Sequence, residues 1–151
     1  MYLLLNIADE VILKYPYSIA QLREDNPQVS FPKNPTPNLL KEYNVYRVQQ
    51  TEPPTVDHTK NIVELMPQLQ DKDWVQTWDI IDASIEEVEY RTTEEAKTVR
   101  STRNRYLSQC DWTQLADSSV NKEEWQTYRQ ALRDIPAQAG FPFDVVWPNQ
   151  P

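Results

Sequence analysis

The last third of the chain decides how its C-terminal half folds. Residues 110–136 read CDWTQLADSSVNKEEWQTYRQALRDIP and residues 137–151 read AQAGFPFDVVWPNQP, and together they hold three of the five tryptophans and the single glycine. Asn121 followed three residues later by Glu124 is the pattern of a capping box, and apolar residues then recur every three or four positions up to Ile135. Because a residue before proline avoids the helical conformation, Pro136 ends this helix at or before Ile135.

A longer helix precedes this one. Ser84 and Glu87 form another capping box, and an apolar stripe at steps of three and four runs from Ile85 to Cys110. A helix of about 25 residues is roughly 40 Å long, and the stripe is thin in the middle. Such a helix projects, packs in an oligomer, or breaks near Thr92. The two helices, joined by about ten residues, should form an antiparallel αα-hairpin.

Short strands and short helices are expected before Ser84. We predict two strands around a turn at residues 2–5 and 11–17. Two brief helices are predicted at residues 18–26 and 38–44, and a third strand at residues 45–48. Residues 61–70 and 73–83 predict a hairpin with its tip at Asp71-Lys72. Apolar residues alternate onto both faces of its second strand, so we expect that strand to be covered on each side or to meet a partner.

These patterns predict an α+β protein in two parts. Residues 1–83 form a small N-terminal mixed domain with short strands and a hairpin. Residues 84–151 form a long helix and a C-terminal αα-hairpin with a proline- and aromatic-rich tail. Because the chain has one glycine among its 151 residues, we expect Gly140 to occupy a position with positive φ.

Composition argues against several classes of partner. The formal net charge is −8, which disfavours nucleic acid, whose binding depends on cationic side chains, and an anionic membrane surface. Apolar runs are too short for a membrane-spanning helix or a signal-peptide core. A single cysteine excludes an internal disulfide and fits a reducing compartment, so we expect folding in a cytoplasm.

Residues that carry catalysis or bind metals do not cluster. His58 lies in a polar loop far along the chain from Cys110, which falls on an apolar stripe and reads as a small buried hydrophobe. One glycine leaves no phosphate-binding loop, and the paired carboxylates lie at turns and helix starts, where they favour the helix dipole and solubility. We predict no catalytic, cofactor-binding or metal-binding residues, so the chain should not be an enzyme and should need no cofactor.

Charged and aromatic residues near the C-terminus offer another role. Asp111 is placed to cap the turn that follows it, and Asp134 stands in a last helical turn, where a negative charge is unfavourable. Asp134 should therefore have a partner, for which Arg103, Arg105, Arg129 and Arg133 are the candidates. These residues either make a structural ion pair, or the arginine, aspartate and tryptophan side chains together form a docking surface, because tryptophan, tyrosine and arginine dominate binding hot spots. The predicted partner-binding residues are Arg103, Asp111, Trp112, Trp125, Tyr128, Arg129, Arg133, Phe141 and Trp147. The alternative is that Trp112, Trp125 and Trp147 simply pack together as core.

Fixed positions in a specific order carry a resemblance. They are Arg100-x-x-Arg103-Asn104-x-Tyr106-Leu107-x-x-Cys110-Asp111-Trp112-Thr113-Gln114, Trp125-x-x-Tyr128-Arg129-Gln130-x-Leu132-Arg133-Asp134-Ile135-Pro136, Gly140-Phe141-Pro142 and Trp147-Pro148. This pattern resembles the bacteriophage tail assembly chaperone family over residues 84–151. Tyr106 replaces a common leucine and Cys110 a small polar residue. The N-terminal part is only loosely similar to other small phage tail proteins.

The resemblance implies a helper in tail or tail-fibre assembly without enzymatic residues. Its partner would be a phage tail-fibre or other tail protein, covered through the aromatic and arginine-rich surface in the host cytoplasm. The alternative is a structural virion component that remains on the tail fibre or baseplate as an adaptor or tip protein. The stripe on helix 85–110 adds a homo-oligomer to the expected partners.

Overall fold

A computed structural model describes all residues from 1 to 151. The chain forms two compact units, Met1–Asp82 and Ala83–Pro151. A five-stranded sheet lies in the first unit, and helices dominate the second. The expected α+β class is therefore confirmed.

The first unit is a curled mixed sheet with two short helices. Its elements are β1 (Tyr2–Asn6), β2 (Val11–Tyr17), α1 (Ile19–Asp25), α2 (Pro37–Glu42), β3 (Val45–Gln49), β4 (Lys60–Gln70) and β5 (Asp73–Asp82). The strand order is β2-β1-β3-β5-β4, and every neighbouring pair is antiparallel except β3 and β5. Although β2 and β4 end the sheet on opposite sides, the Tyr15 hydroxyl of β2 donates a hydrogen bond to Glu64 of β4. The sheet therefore curls until its two edges approach.

Small apolar clusters hold this unit together. One cluster is centred on Tyr17, Leu22 and Leu40, and it packs α1 and α2 against the sheet. Another surrounds Leu3 and Val48. α1 begins with a capping box at Ser18, and α2 begins with a threonine cap at Thr36, directly before Pro37.

The β4–β5 hairpin extends beyond the rest of the sheet. Its tip residues Asp71 and Lys72 adopt φ of 46° and 82°, as a tight hairpin turn requires. β5 pairs with β3 at Trp74 and Val75 only. Thr51 also bonds to Gln76 and Trp78 of the strand. Past Trp78 the strand pairs with β4 and its side chains are exposed, with Ile80 and Ile81 at 48% and 43%. The expectation that β5 is covered on both sides is wrong for this half, and a partner there stays a prediction.

The second unit is built on two helices. Its elements are α3 (Ile85–Gln109), a 3-10 turn (Asp111–Gln114), α4 (Lys122–Asp134) and a second 3-10 turn (Ile135–Ala137). The capping box at Ser84 is confirmed. Asn121 also caps its helix, by accepting hydrogen bonds from the backbone amides of Glu123 and Glu124.

The long helix α3 is continuous, so the suggested break near Thr92 is wrong. The Thr92 hydroxyl donates to the Val88 carbonyl, 2.7 Å away. The threonine is therefore satisfied within the helix and does not compete with its backbone ladder. None of the helices is both long and apolar enough to cross a bilayer.

The core of this unit joins both helices and the C-terminal tail. Its buried residues are Val99, Cys110, Trp125, Tyr128, Leu132 and Ile135. Phe141, Val145 and Trp147 of the tail pack against them. The predicted burial of Cys110 is confirmed.

Gly140 does not adopt a positive φ, so that expectation is wrong. The positive values fall instead on Glu10, Asn44 and the two hairpin-tip residues. What requires a glycine at 140 is space, since a Cβ there would lie 2.1 Å from the Asp144 carbonyl oxygen. That carbonyl belongs to a tight turn closed by the Asp144 amide, which donates to the Gly140 carbonyl at 2.7 Å.

Candidate functional site

Arg129 fixes the junction between α3 and the loop that follows it. The arginine sits in the middle of α4 with its side chain only 9% exposed. Nη1 donates to the Leu107 carbonyl at 2.8 Å and lies 3.0 Å from Cys110 Sγ, while Nη2 donates to Asp111 Oδ1 at 2.7 Å. One guanidinium thus binds the last turn of α3 and the first residue of the 3-10 turn.

The charge of Arg129 is retained despite burial. Burial lowers the pKa of the guanidinium, but its hydrogen bonds to Asp111 and Cys110 more than offset that effect and raise the pKa above its usual value. Nε is buried and has no hydrogen-bond partner. All of the hydrogen bonds of the guanidinium are therefore made by its two terminal nitrogens, Nη1 and Nη2. In the ion pair, Arg129 is buried and Asp111 is the solvent-exposed partner, with 65% of its side chain accessible.

Thr113, a residue of the 3-10 turn, is fully buried and fixes the turn through hydrogen bonds. The Thr113 hydroxyl donates to the Cys110 carbonyl at 2.7 Å, and the Ser118 hydroxyl donates to the Thr113 carbonyl at 3.0 Å. These bonds and the Arg129 cluster order both ends of the loop. The loop displays two large apolar side chains to solvent, Trp112 at 51% and Leu115 at 58% exposure. We call these two residues the loop patch.

Aromatic rings connect the loop patch to the core. The Trp112 ring lies 6.0 Å from that of Trp125, and Trp125 lies 5.8 Å from Tyr128 in an edge-to-face contact. Aromatic pairs in such tilted geometries contribute roughly 0.5–1.5 kcal/mol beyond the area they bury. Trp112 is thus supported on one side and exposed on the other.

The C-terminal tail makes its own aromatic contacts. The Arg100 guanidinium lies 5.1 Å from the centre of the Phe141 ring. The Trp147 and Tyr106 rings meet edge to face at 5.3 Å. Phe141 and Trp147 are each half-buried in these contacts.

The nine predicted site residues divide by exposure. Asp111, Trp112 and Arg133 are exposed, and Arg103, Phe141 and Trp147 are half-buried. Trp125, Tyr128 and Arg129 are buried, so in this conformation they support a surface and do not form one. The alternative of tryptophan packing therefore holds for Trp125, applies in part to Trp147, and fails for the outer side of Trp112.

Two expectations about the aspartates are wrong. Asp111 makes no side-chain cap, because its carboxylate is bound by Arg129 in the ion pair that was the other expectation. Asp134 pairs with no arginine. Its Oδ1 accepts from Gln130 Nε2 at 2.9 Å, and an exposed carboxylate satisfied by an amide one turn earlier needs no cation.

Leu115 is an exposed apolar residue that is absent from the predicted partner-binding residues. It lies three residues after Trp112, where its spacing suggests the continuation of a buried helical face. The 3-10 turn ends at Gln114, and Leu115 therefore turns outward. Asp117, Ser118 and Ser119, residue types that favour turns over helix interiors, were the available signal that no helix continues.

Ligating side chains do not converge in the structure, since no three His, Cys, Asp or Glu residues lie close enough to hold a metal ion. Residues 96–151 match the sequence model of a family described as phage tail assembly chaperone protein. The resemblance of the C-terminal part to that family is therefore confirmed. Curated proteins give no match, and neither do solved structures. The looser likeness of residues 1–83 to other phage tail proteins stays a prediction.

Proposed function

We propose that this protein is a tail assembly chaperone that binds a bacteriophage tail or tail-fibre protein through the loop patch. The family match of residues 96–151 supports the general role. The observation that carries the finer proposal is the exposure of Trp112 and Leu115 on a loop that Arg129 and Thr113 hold in place.

Ordered apolar residues suit a binding surface. Hot spots are enriched in tryptophan and arginine, and a preorganised loop loses less conformational entropy on binding than a mobile one. Asp111 and Arg133 are exposed charged residues for the rim of such a surface. Arg103, Phe141 and Trp147 retain partial exposure and are proposed as secondary contacts, while Trp125, Tyr128 and Arg129 support the patch from beneath.

The partner explains why an apolar surface is useful. A fibre subunit exposes apolar surface and strand edges before it assembles, and such surfaces aggregate. A chaperone covers them, and the net charge of −8 keeps the complex dispersed. No bond is made or broken in this role, so we propose a binding protein and not an enzyme, which acts in the host cytoplasm without nucleic acid or membrane.

Helix 85–110 exposes little apolar surface through which two copies of the chain could associate. Ala96, Val99 and Cys110 of its stripe are buried within the same chain, and Ile85 and Tyr90 are its exposed apolar residues.

Co-expression tests the proposal. A tail-fibre protein of the same phage is produced with the wild-type chain, with Trp112→Ala/Leu115→Ala, or with Tyr90→Ala, which is a matched control because Tyr90 is also exposed and aromatic. We expect the soluble fibre fraction to fall with the double variant and to stay at the wild-type level with the control. A soluble fibre in the presence of a folded double variant would refute the loop patch as the binding surface.

Mass spectrometry of purified virions tests whether binding is transient. A chaperone that leaves the assembled tail should be absent or far below stoichiometric amounts. Stoichiometric protein in the virion would instead establish the structural adaptor or tip role.

A further inference from the structure

A cleft opens in the first unit where β3 runs past the tip of the β4–β5 hairpin. β1 pairs with β3 along residues 45–47, whereas β5 begins to pair with β3 only at Trp74, opposite Val48. The side of β3 that faces away from β1 therefore has no neighbouring strand at residues 45–47. Two adjoining cavities of about 440 and 460 Å³ lie at this place. We call them together the β3 cleft, and four residues line both cavities: Lys41, Tyr46, Lys72 and Trp74.

The two faces of β3 give the cleft two different walls. Side chains alternate between the faces of a strand, so Arg47 lies on the face of Val45, which packs against α1 and α2, and Tyr46 lies on the other face. Arg47 lines the first cavity and not the second. Leu5 and Leu69 line the second and not the first. A chain lying along β3 would meet a guanidinium on one side and apolar side chains on the other.

Three cationic side chains at the cleft are available to a ligand. Lys41, Arg47 and Lys72 are all exposed, and none of their charged groups makes an ion pair or a hydrogen bond within the chain. The two carboxylates that line the cleft belong to Glu10 and Asp73. The cleft thus carries an excess of positive charge in a chain whose net charge is −8. This local excess favours an acidic ligand.

Two neutral donors are available to the same ligand. The Trp74 indole N–H, unlike that of Trp78, donates to no group of the chain, and it is not among the buried unpaired atoms. It is therefore open to an acceptor in the cleft. The Val48 amide donates to the residue before β1, and backbone groups alternate in direction along an antiparallel strand. The Arg47 amide is consequently directed away from β1 and into the cleft.

We propose that the β3 cleft binds an extended acidic segment of a partner protein, in which acidic and apolar residues alternate. The segment lies along β3 as a short added strand, and one of its carbonyls accepts from the Arg47 amide. Because side chains of a strand alternate, its carboxylates reach the cations on the Arg47 side while its apolar side chains contact Leu5 and Leu69. This site belongs to the first unit, and its test requires no tail protein, so it is independent of the loop patch.

The backbone of Lys72 supports a binding role for this residue. Lys72 has φ of 82°, a conformation that glycine adopts without strain and that residues with a Cβ disfavour. Two-residue hairpin turns accordingly prefer glycine at such positions. Strained residues cluster at binding sites, and here the strained residue supplies one of the three cations of the cleft.

Fluorescence anisotropy with synthetic peptides tests the ligand class. The probe is fluorescein-labelled Glu-Val-Glu-Val-Glu, and the matched peptides carry glutamine or lysine in place of every glutamate. We expect the glutamate peptide to bind the full chain about tenfold more tightly than the glutamine peptide. The net charge of the chain repels an anionic peptide and attracts a cationic one, so only a local cationic site gives this order. Equal binding of the glutamine peptide, or tighter binding of the lysine peptide, would overturn the proposal.

Variants of the chain locate the binding site. Lys41→Gln and Lys72→Gly should each weaken binding of the glutamate peptide by about threefold, and their combination by about tenfold. Lys97→Gln on α3 makes the same change in net charge outside the cleft and should leave binding at the wild-type level. Because Lys72→Gly also relaxes the turn, its thermal melting temperature should be no lower than that of the wild type. Wild-type affinity in the folded cleft variants, or equal weakening by Lys97→Gln, would contradict the assignment of the site.

Amide hydrogen exchange tests the added strand. With saturating glutamate peptide the Arg47 amide should exchange about tenfold more slowly, while the Tyr46 amide, which faces β1, should be unchanged. An Arg47 amide with unchanged exchange would overturn the proposed arrangement. Sedimentation velocity of the chain alone tests the other occupant, and a dimer that the peptide dissociates would assign the cleft to a second copy and overturn the proposal.

Discussion

Replacing Arg129 should destabilise the second unit more than replacing Asp111, the exposed residue of their ion pair. Arg129→Ala removes hydrogen bonds to the Leu107 carbonyl, Cys110 and Asp111, together with the buried aliphatic stem. Hydrogen bonds made by a charged group contribute about 1.5–3 kcal/mol each. The bond to Asp111 contributes less to this loss, because the largely exposed carboxylate can bind water once the arginine is removed. We expect a loss of about 3 kcal/mol in the free energy of unfolding.

Asp111→Ala should cost about 1 kcal/mol, because its carboxylate lies at the surface and such ion pairs contribute little. Arg133→Ala, one turn further along the same helix and exposed, is the matched control and should change stability by less than about 0.5 kcal/mol. Urea unfolding followed by near-UV circular dichroism measures all three, with the midpoint shift converted through a common slope. A loss below about 1 kcal/mol for Arg129→Ala, or a larger loss for Asp111→Ala, would refute the role of the arginine as the anchor of the loop.

Further variants test the rest of the structure. Gly140→Ala should lower the free energy of unfolding by about 2 kcal/mol or more, because the new Cβ meets the Asp144 carbonyl, and a thermal melt measures it. Ser84→Ala removes the capping box of α3 and should lower the free energy of unfolding by about 1 kcal/mol, with reduced helical signal in circular dichroism. Hydrogen bonds from Lys14 and Tyr17 hold the pKa of Asp25 below its usual value, so its contribution is present at neutral pH and is lost as the pH falls through that lowered pKa. Asp25→Asn should therefore flatten the acid limb of stability against pH, and an unchanged limb would contradict this assignment.

Local signals were enough to predict most elements of the fold. The caps at Ser18 and Ser84, the hairpin tip at Asp71-Lys72 and the proline after Ile135 each act within a few residues, so their effects can be read from sequence. The curl of the sheet could not be predicted from local sequence signals, because the hydrogen bond from Tyr15 to Glu64 joins strands that are distant in the chain and in the strand order.

The candidate site shows the same division. Residue types identified the correct stretch, but exposure depends on which way each side chain points after the helices pack. Trp125 and Trp112 have the same chemistry, yet the first is buried and the second is half exposed. Arginine usually indicates a surface, and Arg129 is buried because three acceptors from the α3 junction surround its guanidinium.

Amide hydrogen exchange on the complex tests the loop patch most directly. The chain is compared alone and bound to a tail-fibre protein of the same phage. Stronger protection of residues 111–120 on binding, with residues 2–17 unchanged, is the predicted result. Unchanged exchange at 111–120 with protection elsewhere would contradict the claim that Trp112 and Leu115 bind the tail protein.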